Sequence, residues 1–308
     1  HIKITDPEDP ERWEVPPEII NSEYSYNLYK NIGSHSSLFN LIFTNQSDVF
    51  SFELRDENDT AFYTFSNETF LFSEKYLHFE SLLTSNDIYG FGERSHEIKL
   101  GDGIFTIWPN DTGGIKKDLG NGGKNGYSHQ PVAIHKTKIE NIWLGFVFLN
   151  TNNQDVVIKS YENFTNLTHK TIGGIIDYYV IIDSSPENVI KNIQFLLGYP
   201  FLPPYWSIGI HQSRYGYSSL EAFKEVYDSY QKNDIPIDTM WIDIDSLDDF
   251  EIFTLNKDNF GGLPTFIEQI HKDNSHFVPI VDIGVALREN GIYTPIGKKL
   301  DIFLKSNY

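Results

Sequence analysis

The chain has 308 residues and a formal net charge of −19, from 24 Lys+Arg against 43 Asp+Glu. With 40% hydrophobic and 15% aromatic residues it can fill one large core or two ordinary ones, which excludes a wholly disordered protein. So acidic a balance also excludes a nucleic-acid surface or charge-driven binding to anionic lipid, and favours neutral ligands.

There are no cysteines, so a disulfide framework, a thiolate metal site and a thiol nucleophile are all impossible. That does not assign a compartment, because secreted proteins also do without bridges. The longest apolar run, 142–149, is far too short to span a bilayer. The chain opens on His1 with no leader, which we read as a start from which a leader has been removed. Asn-x-Ser/Thr sequons at Asn45, Asn58, Asn67, Asn163 and Asn166, with a sixth at Asn110, point to a glycosylated protein of the secretory pathway.

In chain order, the first 185 residues read as β-structure. Short alternating or aromatic-rich stretches at 38–44, 49–54, 61–65, 69–72 and 76–80 are separated by Asn, Asp and Ser at the spacing of an antiparallel sandwich. Further strands are expected at 131–135, 143–149, 156–160 and 175–182. Among them lies a Gly-rich segment, 113–126, expected as a long functional loop. Ser185-Pro186-Glu187 then signals a helix running to about Leu197, and Gly198-Tyr-Pro-Phe-Leu-Pro-Pro204 a stiff linker. Beyond it the period changes: strand at 206–211, helix at 218–233, strand at 239–244, helix at 263–273, strand at 277–282. Strand and helix in alternation indicate a parallel α/β unit. Three strands cannot close an eight-stranded barrel, so the unit is either a small doubly wound domain or part of something larger.

The densest polar constellation is Trp241-Ile-Asp243-Ile-Asp245-Ser-Leu-Asp248-Asp249. Asp243 and Asp245 are two apart at the end of an expected strand, which turns both to one side, at the end of a parallel strand where α/β folds bind ligands. Such carboxylates can accept hydrogen bonds from vicinal sugar hydroxyls or assist glycosidic chemistry, and they can equally cap a helix or line a wet loop. Tyr215, in His211-Gln-Ser-Arg-Tyr-Gly-Tyr217, can offer an aromatic platform to the apolar side of a sugar ring, or simply pack. Asp111 follows a Trp-Pro turn, and Asp282 ends the last expected strand; both also have structural readings. No histidine pair has metal-ligand spacing, and the Gly-rich loop lacks the Lys-Ser/Thr of a phosphate cradle, so neither a metal nor a nucleotide cofactor is expected.

Taken in one order, these segments resemble family 31 glycoside hydrolases, and among them the sucrase-isomaltase, maltase-glucoamylase and acid α-glucosidase group. Arg12-Trp-Glu-Val-Pro16 resembles that group's N-terminal signature, Tyr89-Gly-Phe-Gly-Glu-Arg94 its Tyr-Gly-x-Gly-Glu segment, and Gly145-Phe-Val-Phe-Leu-Asn150 a further strand. Most specific is 198–217, from Gly-Tyr-Pro-Phe-Leu-Pro-Pro-Tyr-Trp to Arg214-Tyr-Gly-Tyr217, continued by Trp241-Ile-Asp-Ile-Asp245. The resemblance implies an antiparallel β-sandwich over 1–185, a helix and linker over 186–204, and over 205–308 about three βα units of an incomplete (β/α)8 barrel.

It also implies roles. Asp243 matches the carboxylate that binds glucose hydroxyls in the −1 subsite, Asp111 the acid supplied by the sandwich loop near the +1 subsite, and Tyr215 an aromatic subsite position; Trp241 and Asp282 match positions of the pocket wall. The activity implied is retaining hydrolysis of terminal α-linked glucose from oligosaccharides, with no cofactor. The chain departs from the family at Ser246-Leu247, where Tyr-Met is usual, and at Ile283-Gly284, where Pro-Ala is usual; both imply altered packing near the site. The family's nucleophile and general acid fall beyond Tyr308, so the chain by itself is expected to be inactive, with a companion C-terminal chain or segment completing the barrel. The alternatives are an inactive carbohydrate-binding or structural fragment and, among enzymes, an α-xylosidase or a glucosidase II type. The expected compartment is the secretory pathway, lysosomal, vacuolar or extracellular.

Overall fold

The computed structural model describes residues 1–20, 39–46, 49–109, 125–282 and 284–305. The chain divides into two compact units, His1–Pro200 and Phe201–Tyr308.

The first unit holds thirteen strands among the described residues: β1 (Ile2–Ile4), β2 (Asn40–Gln46), β3 (Val49–Arg55), β4 (Ala61–Ser73), β5 (Tyr76–Leu83), β6 (Ile88–Gly90), β7 (Lys99–Leu100), β8 (Gly103–Ile107), β9 (Val132–Lys136), β10 (Trp143–Phe148), β11 (Gln154–Ser160), β12 (Thr165–Thr171) and β13 (Ile176–Asp183). They form a six-stranded sheet in the order β1-β13-β10-β9-β6-β7 and a seven-stranded sheet in the order β2-β3-β4-β5-β12-β11-β8, antiparallel at every pair. Inward-pointing aromatics of both sheets meet in one core, where Phe79 packs edge-on to Phe148 at 5.2 Å and Tyr178 stacks on Phe146 at 6.0 Å. β5 shows the rule plainly: Leu77, Phe79, Ser81 and Leu83 alternate inward while their neighbours face out.

β10 breaks that rule, because it is buried on both faces. Its outer face is covered by helix α1 (Pro186–Leu197), whose Val189, Ile193 and Leu196 pack on Val147 and Ile181. This is why 142–149 is the longest apolar run in the chain: a doubly covered strand carries no solvent face. Gly145 is the contact point, since a Cβ there would lie 2.6 Å from Val189 Cγ1. The helix starts as its sequence signals, with Ser185 Oγ accepting from the Asn188 N–H and Pro186 in the first turn.

Some expected boundaries change. The stretches 61–65 and 69–72 are one thirteen-residue strand, with a shift of register between Ser66 and Leu71. β12 (Thr-Asn-Leu-Thr-His-Lys-Thr) had no strand signal because it is polar at six of its seven positions, yet most of it is buried. It is held in the middle of its sheet between β5 and β11.

The second unit carries a three-stranded parallel sheet, β14 (His211–Gln212), β15 (Thr239–Ile242) and β16 (His276–Pro279), in that order. Helix α2 (Leu220–Lys232) connects the first two strands, helix α3 (Leu263–Lys272) the next, and helix α4 (Tyr293–Leu300) follows the third. Successive parallel strands with a helix between them are the opening of a βα barrel, and the sheet is not closed. The inner sides of α2 and α3 bury Phe223, Tyr227, Phe266 and Ile270 against Met240 and Ile242. The expected strand at 206–211 is instead a 3-10 turn, Tyr205–Ile208, followed by the two-residue β14. The reason lies at Gly209: the Asp238 carboxylate accepts from the Ile210 N–H at 2.8 Å, and a Cβ on residue 209 would sit 2.2 Å from that oxygen. β15 and β16 also end earlier than expected, the one at Ile242 and the other at Pro279.

Candidate functional site

Three site candidates of the second unit, Tyr215, Asp243 and Asp282, follow the carboxyl ends of its three strands, and Trp241 lies within β15. Asp243 follows β15 directly. Its Oδ1 accepts from the Ile244 N–H at 2.7 Å and starts a 3-10 turn, Ile244–Ser246. Asp243 is half-buried, and among the described residues no donor reaches its second carboxylate oxygen. The alternation that would turn Asp243 and Asp245 the same way ends here, because the chain between them is a helical turn. Asp245 is committed to structure instead: its Oδ2 accepts from the Gly216 N–H at 2.8 Å.

That bond ties the loop after β14 to the loop after β15. Gly216 sits at φ +108°, which only glycine adopts without strain. Tyr217, next to it, is buried edge-on to Phe223, and its hydroxyl accepts from Gln212 Nε2 at 2.9 Å. With Gly216 and Tyr217 pinned, Tyr215 is left 63% exposed, free to meet a ligand.

Trp241 lies on the face of the sheet opposite Met240 and Ile242. Its Nε1–H donates to His211 Nδ1 at 2.8 Å, which leaves the His211 proton on Nε2, aimed at the Trp206 carbonyl at 3.2 Å. Trp206 also stacks on His276 at 4.1 Å. The Trp206–His211–Trp241 chain fixes the indole of Trp241 below the strand ends, a contact the residue pattern did not reveal because its partners are 30 and 35 positions away. Asp282 stands three residues past β16, exposed and without a hydrogen bond or ion pair among the described residues. Asp111 lies outside the described residues, as do Asn110 and Ile283.

The loop after β15 holds three non-glycine residues at positive φ, Asp249, Phe250 and Phe253. Such backbone persists only where its surroundings hold it. Glu251 does so here, its Oε1 accepting from the Ile292 and Tyr293 N–H groups at 2.6 and 3.1 Å. Ser246 is buried, and its Oγ donates to the Asp243 carbonyl at 3.0 Å. Ser246 and Leu247 also line a cavity of about 260 Å³ with Ile242, Phe253 and Phe277. None of the candidate ligand residues lines that cavity, so it is not the site.

The sequons fall into three settings. Asn58 and Asn163 are exposed in turns; Asn45 and Asn67 lie within β2 and β4; Asn166 lies within β12, half-buried. Among the described residues no group of His, Asp and Glu could hold a metal ion, and no helix is long and apolar enough to cross a membrane.

The chain thus pairs a β-sandwich unit with an opening βα-barrel unit that carries carboxylates after its strands. Residues 200–308 match the TIM-barrel domain of glycosyl hydrolases family 31. A probable alpha-glucosidase of Oryza sativa subsp. japonica is 32% identical over the whole of this chain and 36% of its own length. Intestinal sucrase-isomaltase of Suncus murinus is 31% identical over 93% of this chain and 15% of its own length, and alpha-xylosidase 1 of Arabidopsis thaliana 31% over 99% and 34%. The crystal structure of the glucosidase II alpha subunit shares the fold, with a TM-score of 0.75 over 87% of this chain and 33% of that one, at 17% identity. Residues 200–308 are therefore related to the family 31 glycoside hydrolases, and the chain, similar to these relatives along its length, spans about a third or less of each.

Proposed function

We propose that the chain is the substrate-reading part of a retaining α-glucosidase that removes terminal α-linked glucose from oligosaccharides. The observation that carries this reading is Asp243: a half-buried carboxylate at the carboxyl end of a barrel strand, with one oxygen held by its own turn and the other open. An oxygen so placed accepts hydrogen bonds from sugar hydroxyls, and bonds of that kind that strengthen as charge develops on the sugar ring speed the reaction as well as bind. Tyr215 offers its ring to the apolar side of the sugar, Trp241 walls the pocket, and Asp282 closes it from the next strand.

In this reading the nucleophile and the general acid are supplied by a companion segment that completes the barrel, with their carboxyl groups about 5–5.5 Å apart for retention. Its support is that the three-stranded sheet is open and that the relatives are two to three times longer or more. The sequons and the acidic balance support a secretory-pathway location, lysosomal, vacuolar or extracellular. An α-xylosidase is the second reading, favoured by the Arabidopsis relative.

The test is hydrolysis of paired α-glucoside and α-xyloside substrates by the complete enzyme with Asp243 native or changed to Asn. We expect the α-glucoside to be preferred and kcat/KM to fall by about 100-fold or more in Asp243→Asn, with kcat falling as well as KM rising. Unchanged kinetics would remove Asp243 from the site, and a preference for the xyloside would move the protein to the second reading.

A further inference from the structure

One sequon sits in a turn already furnished for a sugar. β11 and β12 form a hairpin closed by the pair Ser160↔Thr165, and the tip is Tyr161-Glu162-Asn163-Phe164, held by the Tyr161 N–H donating to the Phe164 carbonyl at 2.8 Å. The rings of Tyr161 and Phe164 stack on each other at 4.8 Å with 24° between their planes. Neither ring belongs to a core cluster: Tyr161 is 44% and Phe164 39% exposed, with the Lys159 ammonium 5.2 Å from the Tyr161 ring centre. Two large rings stacked at a wet hairpin tip leave apolar surface uncovered. Asn163 lies between them, exposed, and no more than two residues, about 7 Å of chain, from either.

The other sequons differ. Asn58 is exposed in the β3–β4 turn, but no ring contact among the described residues lies in that turn. Asn166 sits in the middle of its sheet, paired with Lys159 on one side and Leu82 on the other, and its Oδ1 is buried without a partner. Asn45 is laddered opposite Phe50 within β2, and Asn67 lies within β4.

We propose that Asn163 is an N-glycosylation site whose first N-acetylglucosamine packs its apolar C–H side on the Tyr161–Phe164 pair and braces the hairpin. The donor is a lipid-linked oligosaccharyl diphosphate. The Asn163 amide nitrogen forms a bond to the sugar's anomeric carbon as the bond from that carbon to the phosphate oxygen breaks, and the amide proton leaves with the lipid diphosphate. No oxidant or reductant is involved. The site rests on the secretory-pathway reading given above. The experiment therefore imposes that route, so that an empty Asn163 counts against the site and not against the route.

The full chain is expressed behind a secretory leader in a eukaryotic host, and its glycopeptides are mapped by mass spectrometry. We expect Asn163 to be occupied and Asn166 empty. The melting temperature is then compared after trimming to one N-acetylglucosamine and after complete release of the glycan by an amidase. Trimming is expected to leave it unchanged and complete release to lower it by about 2–4 °C, a loss absent from Tyr161→Ala. An unoccupied Asn163 in secreted protein overturns the site. An equal loss on release in Tyr161→Ala overturns the packing of the sugar on the aromatic pair.

Discussion

The two units of this chain bury their apolar residues by opposite rules. In the sandwich, aromatic side chains such as Phe62, Phe65, Phe105, Phe146 and Phe148 are wholly buried, because two antiparallel sheets and α1 cover one another's apolar faces. In the βα unit, Phe201, Leu202, Tyr205 and Leu287 are each more than 80% exposed, and among the described residues the sheet ends at both sides without a partner strand. The difference is physical. Antiparallel sheets need cover on one face and can close a core with a dozen short strands, whereas a parallel sheet needs helices outside and more strands around it before its apolar surface is spent. Four of the five proposed substrate residues, Tyr215, Trp241, Asp243 and Asp282, lie in the unit that depends on more structure.

The largest expected break in this comparison is between the units made separately. Residues 1–200 should melt cooperatively, while residues 201–308 alone should bind a hydrophobic dye and lack a sharp transition; calorimetry and dye fluorescence read both. A cooperative transition in the second unit would sink the contrast. Next in size is Phe79→Ala, which removes a ring at the centre of the sandwich and should cost about 3–5 kcal/mol in a denaturant titration.

Acid should act on the sandwich through two buried histidines. His169 lies wholly buried, stacked on Phe79 at 4.8 Å, with no partner on either ring nitrogen, and burial pushes it down to about 3. Burial likewise pushes His135 down to about 4, opposed weakly by the Asp87 carbonyl. Both folded values lie below the ordinary histidine value near 6.5, so the unfolded chain takes up protons that the folded one refuses. The stability is complete above about pH 6.5 and is lost as pH falls toward 4 and then 3, with a slope approaching about 1.4 kcal/mol per pH unit for each histidine. His169→Phe should flatten that slope between pH 6.5 and 4 in thermal melts; an unaltered slope would falsify the assignment.

Gly145→Val should cost about 1–3 kcal/mol, because the new side chain enters the contact between β10 and α1. Smallest, Ser219→Ala should cost about 1 kcal/mol by uncapping α2, where Ser219 Oγ accepts from the Ala222 N–H at 3.3 Å. Both are measured as shifts of denaturation midpoint.

Local signals were enough for α1, whose Ser-Pro-Glu start marks its first turn, and for the strand and helix alternation after Ser184, since caps and apolar periods act within a few residues. They were enough for β5, where period-two alternation meets a single covered face. They failed at β12, a polar stretch that its sheet neighbours bury, and at 206–211, where Asp238 far along the chain shapes the turn. The glycosidase-like motifs named Asp243, Tyr215 and Trp241 as a group; the fold puts Asp243 directly after β15, Tyr215 three residues past β14 and Trp241 within β15.

By itself, then, the order of residues determined the two-part architecture, the kinship to family 31 and the carboxylates and aromatic residues available at the proposed site. Tertiary structure alone decided that Asp243 keeps an oxygen open while Asp245 is used up on Gly216, and that Trp241 is held by His211. It also set Asn163 beside a stacked aromatic pair. Periodicity and capping are short-range, but the free valence of a carboxylate depends on which distant N–H groups the fold brings to it.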